Sequence, residues 1–297
     1  GALVVGLVFQ RLSAFFHPSI SWLLMVVITL GFIKMDMAAI HEELKAWPYQ
    51  IWLGLVSLII VPLLLYFFVD VVTFYFSSIH HAFSIATLLF FGTSSAVIAP
   101  TLTILYQGNY ERAMLNLIFS SVLVAVTLPF LMFIVQHQSI NFPFYPMLFF
   151  LLRLIVLPFI VAMLVRLLVP KLKNAVVPYV PAISMGLIVF LSIGCVSGMA
   201  HYFTTDLTLI IWVWVISSVC IAIAFALGWA LALRRSSEDR MTSAILNTWT
   251  NSSLAVVVAN EFFSRHEPRA VLYCAMACIP WAFSISVLGW ASNRLKH

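Results

Sequence analysis

Residues 242–263, TSAILNTWTNSSLAVVVANEFF, are long enough and apolar enough at both ends to cross a bilayer as a helix, yet Asn247, Thr248, Thr250, Asn251, Ser252 and Ser253 occupy their middle. Lipid offers such groups no partners. Polar side chains and freed backbone at membrane depth must therefore face protein or a water-filled cavity, commonly where a helix is broken. Interhelical hydrogen bonding alone also collects Ser, Thr and Asn, so one such segment does not decide between a binding site and simple adhesion.

A second copy decides more. Thr93, Ser94 and Ser95, followed by an apolar run to Glu111-Arg112-Ala113, match Asn251, Ser252 and Ser253, followed by an apolar run to Glu267-Pro268-Arg269-Ala270. Gly92 before the first cluster and Pro100 after it suit an unwound centre. Paired polar interruptions in the two halves of a membrane chain point to a transporter binding site built from two discontinuous helices.

With 63% hydrophobic and 8% charged residues, the 297-residue chain lies far from soluble composition and reads as a polytopic all-α membrane protein. About 20 residues per span leave room for about ten spans and no separate soluble domain. They are expected near 2–16, 22–34, 51–69, 82–106, 113–135, 147–169, 182–200, 209–233, 242–263 and 270–291. Alternate loops then collect 11 basic residues on one side, among them Lys34, Arg112, Arg166, Lys171, Arg234 and Arg240. The other side receives Arg11, Arg265 and Arg269, and Arg153 falls in a span. The richer side is expected to be cytoplasmic, with the C-terminus on it, and the membrane to be the cell's inner one. Arg153 either snorkels to the interface or lines a cavity and attracts anions.

The twin clusters fall on the fourth and ninth spans, an odd interval that inverts the second against the first. The expected plan is two inverted repeats, 1–144 and 145–297, within one transmembrane domain. The chemistry follows by elimination. No acidic residue lies in the middle of a span, which argues against a proton exchanger, and no phosphate-binding loop is present. Ser94 and Ser252 have no His partner in a span, so no enzyme is read. Cys195, Cys220, Cys274 and Cys278 lie in apolar runs without a metal set, and the scattered basic residues form no nucleic-acid patch. What remains at mid-membrane is hydroxyls, amides and freed backbone, with helix N-termini favouring an anion. Candidate substrate contacts are Thr93, Ser94, Ser95, Asn247, Thr250, Asn251, Ser252 and Ser253. The expected partners are a small organic anion and the bilayer, and no cofactor is called for beyond a weakly bound cation.

These motifs resemble those of the bile acid:sodium symporter family. Gly92-Thr93-Ser94-Ser95 is similar to that family's Gly-Thr-Ala-Ser-Asn, and Gly108-Asn109 to the Gly-Asn turn that follows it. Thr250-Asn251-Ser252-Ser253-Leu254-Ala255 is similar to its Gln-Asn-Ser-Gly-Leu-Ala, and residues 152–165 resemble its sixth helix. The resemblance implies ten helices in core and panel domains, the fourth and ninth broken and crossing, and an organic anion carried with sodium. It puts substrate contacts on Thr93 and Asn251. Where it places sodium ligands the chain has Ser95, Ala96, Leu246, Thr250 and Ser57, with Ala113 and Leu117 on the fifth helix. Ser95 and Thr250 are then the side chains left to hold a weak sodium ion.

Overall fold

The computed structural model describes residues 2–34, 47–75, 80–136, 142–197, 202 and 206–294. Residues 35–46 and 295–297 lie outside them. Everything described is helical, apart from turns and a single antiparallel bridge. Fifteen α-helices follow in order: α1 Ala2–Val8, α2 Gln10–Phe16, α3 Ile20–Lys34, α4 Trp47–Leu55, α5 Val61–Thr73, α6 His80–Phe91, α7 Ala99–Leu105, α8 Tyr110–Gln136, α9 Phe144–Leu168, α10 Pro170–Val176, α11 Val180–Cys195, α12 Leu207–Leu231, α13 Ser237–Thr248, α14 Ser252–Phe263 and α15 Pro268–Arg294. Among the described residues, seven helical runs are long and apolar enough to cross a membrane. The protein is a multi-pass membrane protein.

Three expected spans look different in the structure, each for a local reason. The first breaks at Phe9, and its second part, α2, runs on into α3 through a 3₁₀ turn, His17–Ser19, forming one run, Gln10–Lys34. Pro18 sits near the start of that turn, where a missing N–H costs nothing. The third runs through Pro62 as expected and extends further at both ends, Trp47–Thr73. Pro62 has no N–H to give to the preceding turn, and the backbone there widens into a π segment, Val56–Ile60. The ninth begins earlier, at Ser237, because the Ser236 hydroxyl accepts from the Asp239 N–H at 3.2 Å and caps the helix.

The two halves run through the same succession of elements. Helix α1 stops at Phe9 and α9 at Val169, 160 positions later, and both residues leave the helical region. Each is followed by a seven-residue helix, α2 or α10, then a 3₁₀ turn with a central proline, His17–Ser19 or Val177–Tyr179. Further on, α6 and α13 have 12 residues each, and α8 and α15 have 27 each.

Packing pairs the halves as well. Helix α3 lies against α9 and α11, and α11 also against α1 and α2. The Ser13 hydroxyl donates to the Ile193 carbonyl at 2.8 Å, and Arg166 donates to the carbonyls of Phe32 and Ile33 near the end of α3. Helix α5 packs on α6, as α12 does on α13. At one end Arg112 pairs with Asp239, and the Tyr49 ring lies 5.0 Å from the Arg112 guanidinium and 4.3 Å from that of Arg235. The core is one large apolar cluster spread over both halves, with a smaller one around Tyr49, Leu53, Ala113, Leu246 and Trp249.

Candidate functional site: two helix breaks that cross

Helices α6 and α7 are separated by 92–98, and α13 and α14 by 249–251. Gly92 permits the first break. A Cβ there would lie 2.5 Å from the Leu88 carbonyl oxygen and 3.0 Å from Leu128, so a larger residue has no room. The freed backbone groups find each other. Ser95 and Thr250 form an antiparallel bridge, with the Ala96 N–H donating to the Trp249 carbonyl at 2.8 Å and the Asn251 N–H to the Ser94 carbonyl at 2.7 Å. This satisfies at membrane depth the groups that unwinding would orphan.

Most of the hydroxyls expected to bind ligand serve the same end. Thr250 donates to the Phe90 carbonyl at 2.8 Å, and Thr93 donates to Phe90 at 3.1 Å and to the Asn251 carbonyl at 3.3 Å. Both side chains are about 1% exposed and neither lines a cavity wall at the crossing. The Ser95 hydroxyl donates to Asn116 Oδ1 at 3.2 Å and the Leu246 carbonyl at 3.4 Å, while its N–H reaches the Ser120 hydroxyl at 3.3 Å. Asn247 donates to the Ser243 carbonyl at 2.7 Å within α13. Ser252 and Ser253 open α14, half-buried and away from the cavity.

Two of the expected contacts do meet open space. Ser94 and Asn251 line a small cavity of about 30 Å³ together with Ser121. Its other walls are apolar: Ile28 and Phe32 from α3, Ile155 from α9, and Val97, Leu117 and Leu254 beside the breaks. Asn251 is the N-cap of α14, its Oδ1 accepting from the Leu254 N–H at 3.1 Å, so the amide Nδ2 is left for the cavity side. The first-turn N–H groups of this 12-residue helix bring partial positive charge to the same wall.

Sequence reasoning missed Ser121 as a lining residue and placed the fifth-helix ligands one turn away. Ala113 packs in the small apolar cluster and Leu117 lines the cavity, while Asn116 and Ser120 reach Ser95. The i, i+4 spacing of Asn116 and Ser120 on α8 was the available signal. Leu246 also packs in that apolar cluster, with Leu53 and Ala113. Neutral oxygens meet around Ser95, and among the described residues that hydrogen-bond to it none is acidic. Arg153 does not enter the cavity; it is exposed, 6.0 Å over the Trp22 ring.

A larger cavity, about 630 Å³, lies toward one end between the same groups of helices. His17, Phe142 and Pro143 line one side, and Gln136, Asn260, Arg265 and His266 the other. A hydrogen bond of 3.2 Å joins His17 Nε2 to Asn260 Oδ1 across it. The family model described as Sodium Bile acid symporter family matches residues 21–206, about two thirds of the chain. No curated protein matches it at a significant level.

Proposed function

The chain belongs to the Sodium Bile acid symporter family, and from that premise we propose that this membrane transporter carries a small amphipathic organic anion by alternating access. The observation that carries the reading is the cavity at the crossing. One wall offers Ser94, Ser121 and Asn251 at a helix N-terminus, and the rest is apolar. Such a surface suits a carboxylate or similar head on an apolar body. The two matched element successions, with breaks that meet antiparallel, support ten spans in two inverted repeats. In that arrangement α1 to α3 and α9 to α11 form the panel and the remaining helices the core.

The large cavity lies beside Arg265 and His266, on the side poor in basic residues. Under the positive-inside rule that side is external, and the cavity is an outward-facing vestibule above the site. Leu246 favours a second feature. Its burial among Leu53 and Ala113 gives a cation at the crossing no carboxylate, so the anion is carried as by a uniporter or exchanger rather than on a cation bound there.

Uptake of labelled bile acids and short carboxylates into proteoliposomes tests this. Saturable entry that Asn251→Ala weakens is expected. Saturable binding without entry into the vesicles would make the protein a ligand sensor instead.

A further inference from the structure

A second polar cavity lies in the core, away from the crossing. It spans about 170 Å³ and is lined by Tyr66, Asp70, His81, Ser84, Ile85, Val135 and Gln136. Three helix ends meet there. Asp70 occupies the last turn of α5, Gln136 ends α8, and His81 begins α6. The last carbonyls of α5 and α8 lack intrahelical partners and carry the negative ends of two helix dipoles. The start of α6 opposes them.

Gln136 is the residue that needs explaining. It is 1% exposed, yet neither Nε2 nor Oε1 has a partner among the described residues. A buried amide left unsatisfied costs about 1 to 3 kcal/mol, so such a group implies something that it holds. Beside it stand a carboxylate, the buried hydroxyl of Ser84 and the phenol of Tyr66.

We propose that this cavity binds a small alkali cation through the Asp70 carboxylate, Gln136 Oε1 and the Ser84 hydroxyl. The donor set selects that class. One carboxylate with neutral oxygens matches a single positive charge, whereas sites for divalent ions gather more carboxylates. A soft metal would want thiolates or several imidazoles, and among the described residues no group of three His, Cys, Asp or Glu side chains occurs. Gln136 also lines the larger vestibule, so its amide stands between the cation and the water through which an anion would arrive. A bound cation there offsets the charge of Asp70 beside that route.

The test is binding of radiolabelled sodium to the purified full chain, with thermal unfolding in sodium, potassium or choline chloride at fixed ionic strength. Wild type is expected to bind sodium saturably and to melt higher in sodium than in choline. Asp70→Asn should abolish both effects, and Gln136→Leu should weaken sodium binding by at least about tenfold. Gln136→Leu removes an amide without partners, so it should fold even if Asp70→Asn does not. Ser95→Ala and Thr250→Val, at the crossing, should leave sodium binding unchanged. The proposal is overturned if wild type binds no sodium, if binding survives in both cavity variants, or if it is lost with Ser95→Ala. None of these readouts uses the anion, so the result stands apart from the transport reading.

Discussion

Asn251 has two duties that substitution can separate. Its Oδ1 caps α14 through the Leu254 N–H at 3.1 Å, and the amide Nδ2 remains for a ligand at the cavity wall. Asn251→Ala removes both. It should cost about 1 kcal/mol of stability for the lost cap and about 1 to 3 kcal/mol of anion affinity, or roughly 5- to 150-fold. Asn251→Ser keeps a capping oxygen without the amide donor, because Ser and Asn are nearly equal at this position. Its stability should stay within about 0.5 kcal/mol of wild type while affinity falls as it does for Ala. Asn251→Asp also keeps the cap but sets a negative charge beside an anion, and should bind worst. The assay is anion affinity and thermal unfolding on the same purified variants. If Asn251→Ser binds like wild type, the amide does not touch the ligand; if affinity falls only where stability falls, Asn251 is purely structural.

The remaining expectations concern topology and packing. Single cysteines placed at 171–178 and 234–240 should react with an impermeant maleimide only from the cytoplasmic side; background is low because Cys195, Cys220 and Cys274 are buried, and labelling of intact cells would overturn the inverted arrangement. Asp239→Ala should lower stability by roughly 3 kcal/mol, since it leaves Arg112 against the Tyr49 ring without its carboxylate; unfolding of the single variants and the double variant with Arg112→Met measures the pair. Gly228→Ala sets a Cβ 2.7 Å from the Ser243 carbonyl oxygen and 2.8 Å from the Ala244 Cα. Because both are backbone atoms, α12 and α13 must separate, at about 1 to 3 kcal/mol in unfolding experiments.

The breaks were legible in the sequence because their cause is chemical: two matched clusters of Ser, Thr and Asn at membrane depth, one flanked by Gly92 and Pro100, find no partners in lipid. The duties within each break were not. An unwound segment has no periodicity, so nothing in the order Thr93-Ser94-Ser95 says that the middle residue alone lines the cavity. Thr93 and Thr250 look like ligand contacts in sequence and turn out to close the end of α6. The fifth-helix partners were displaced because alignment by the Gly108-Asn109 turn ignores where the helix face points; Asn116 and Ser120 are one helical turn apart and meet Ser95 together. The early end of the first helix at Phe9 was hidden for the opposite reason, since apolar residues continue through it.

The crossing also limits how a transport cycle can run. Two backbone hydrogen bonds join the breaks, Ala96 to Trp249 and Asn251 to Ser94, and the Thr93 and Thr250 hydroxyls add two more, to Asn251 and Phe90. Pulling the breaks apart would leave these groups unpaired where no lipid atom can replace the partner, at about 1 to 3 kcal/mol for each. The opposite wall of the cavity is made differently. Ile28 and Phe32 on α3 and Ile155 on α9 face Val97 and Leu254 through apolar contact, and a Cβ added at Gly31 would lie 3.6 Å from Val97, in ordinary contact. Apolar surfaces can slide without orphaning a hydrogen bond. Under the proposed alternating access, the crossing therefore moves as one body against α3 and α9, and the anion sits on the surface where the two slide. The His17 to Asn260 hydrogen bond spans that same boundary at the vestibule end, so it is a polar contact that such a motion must break and remake.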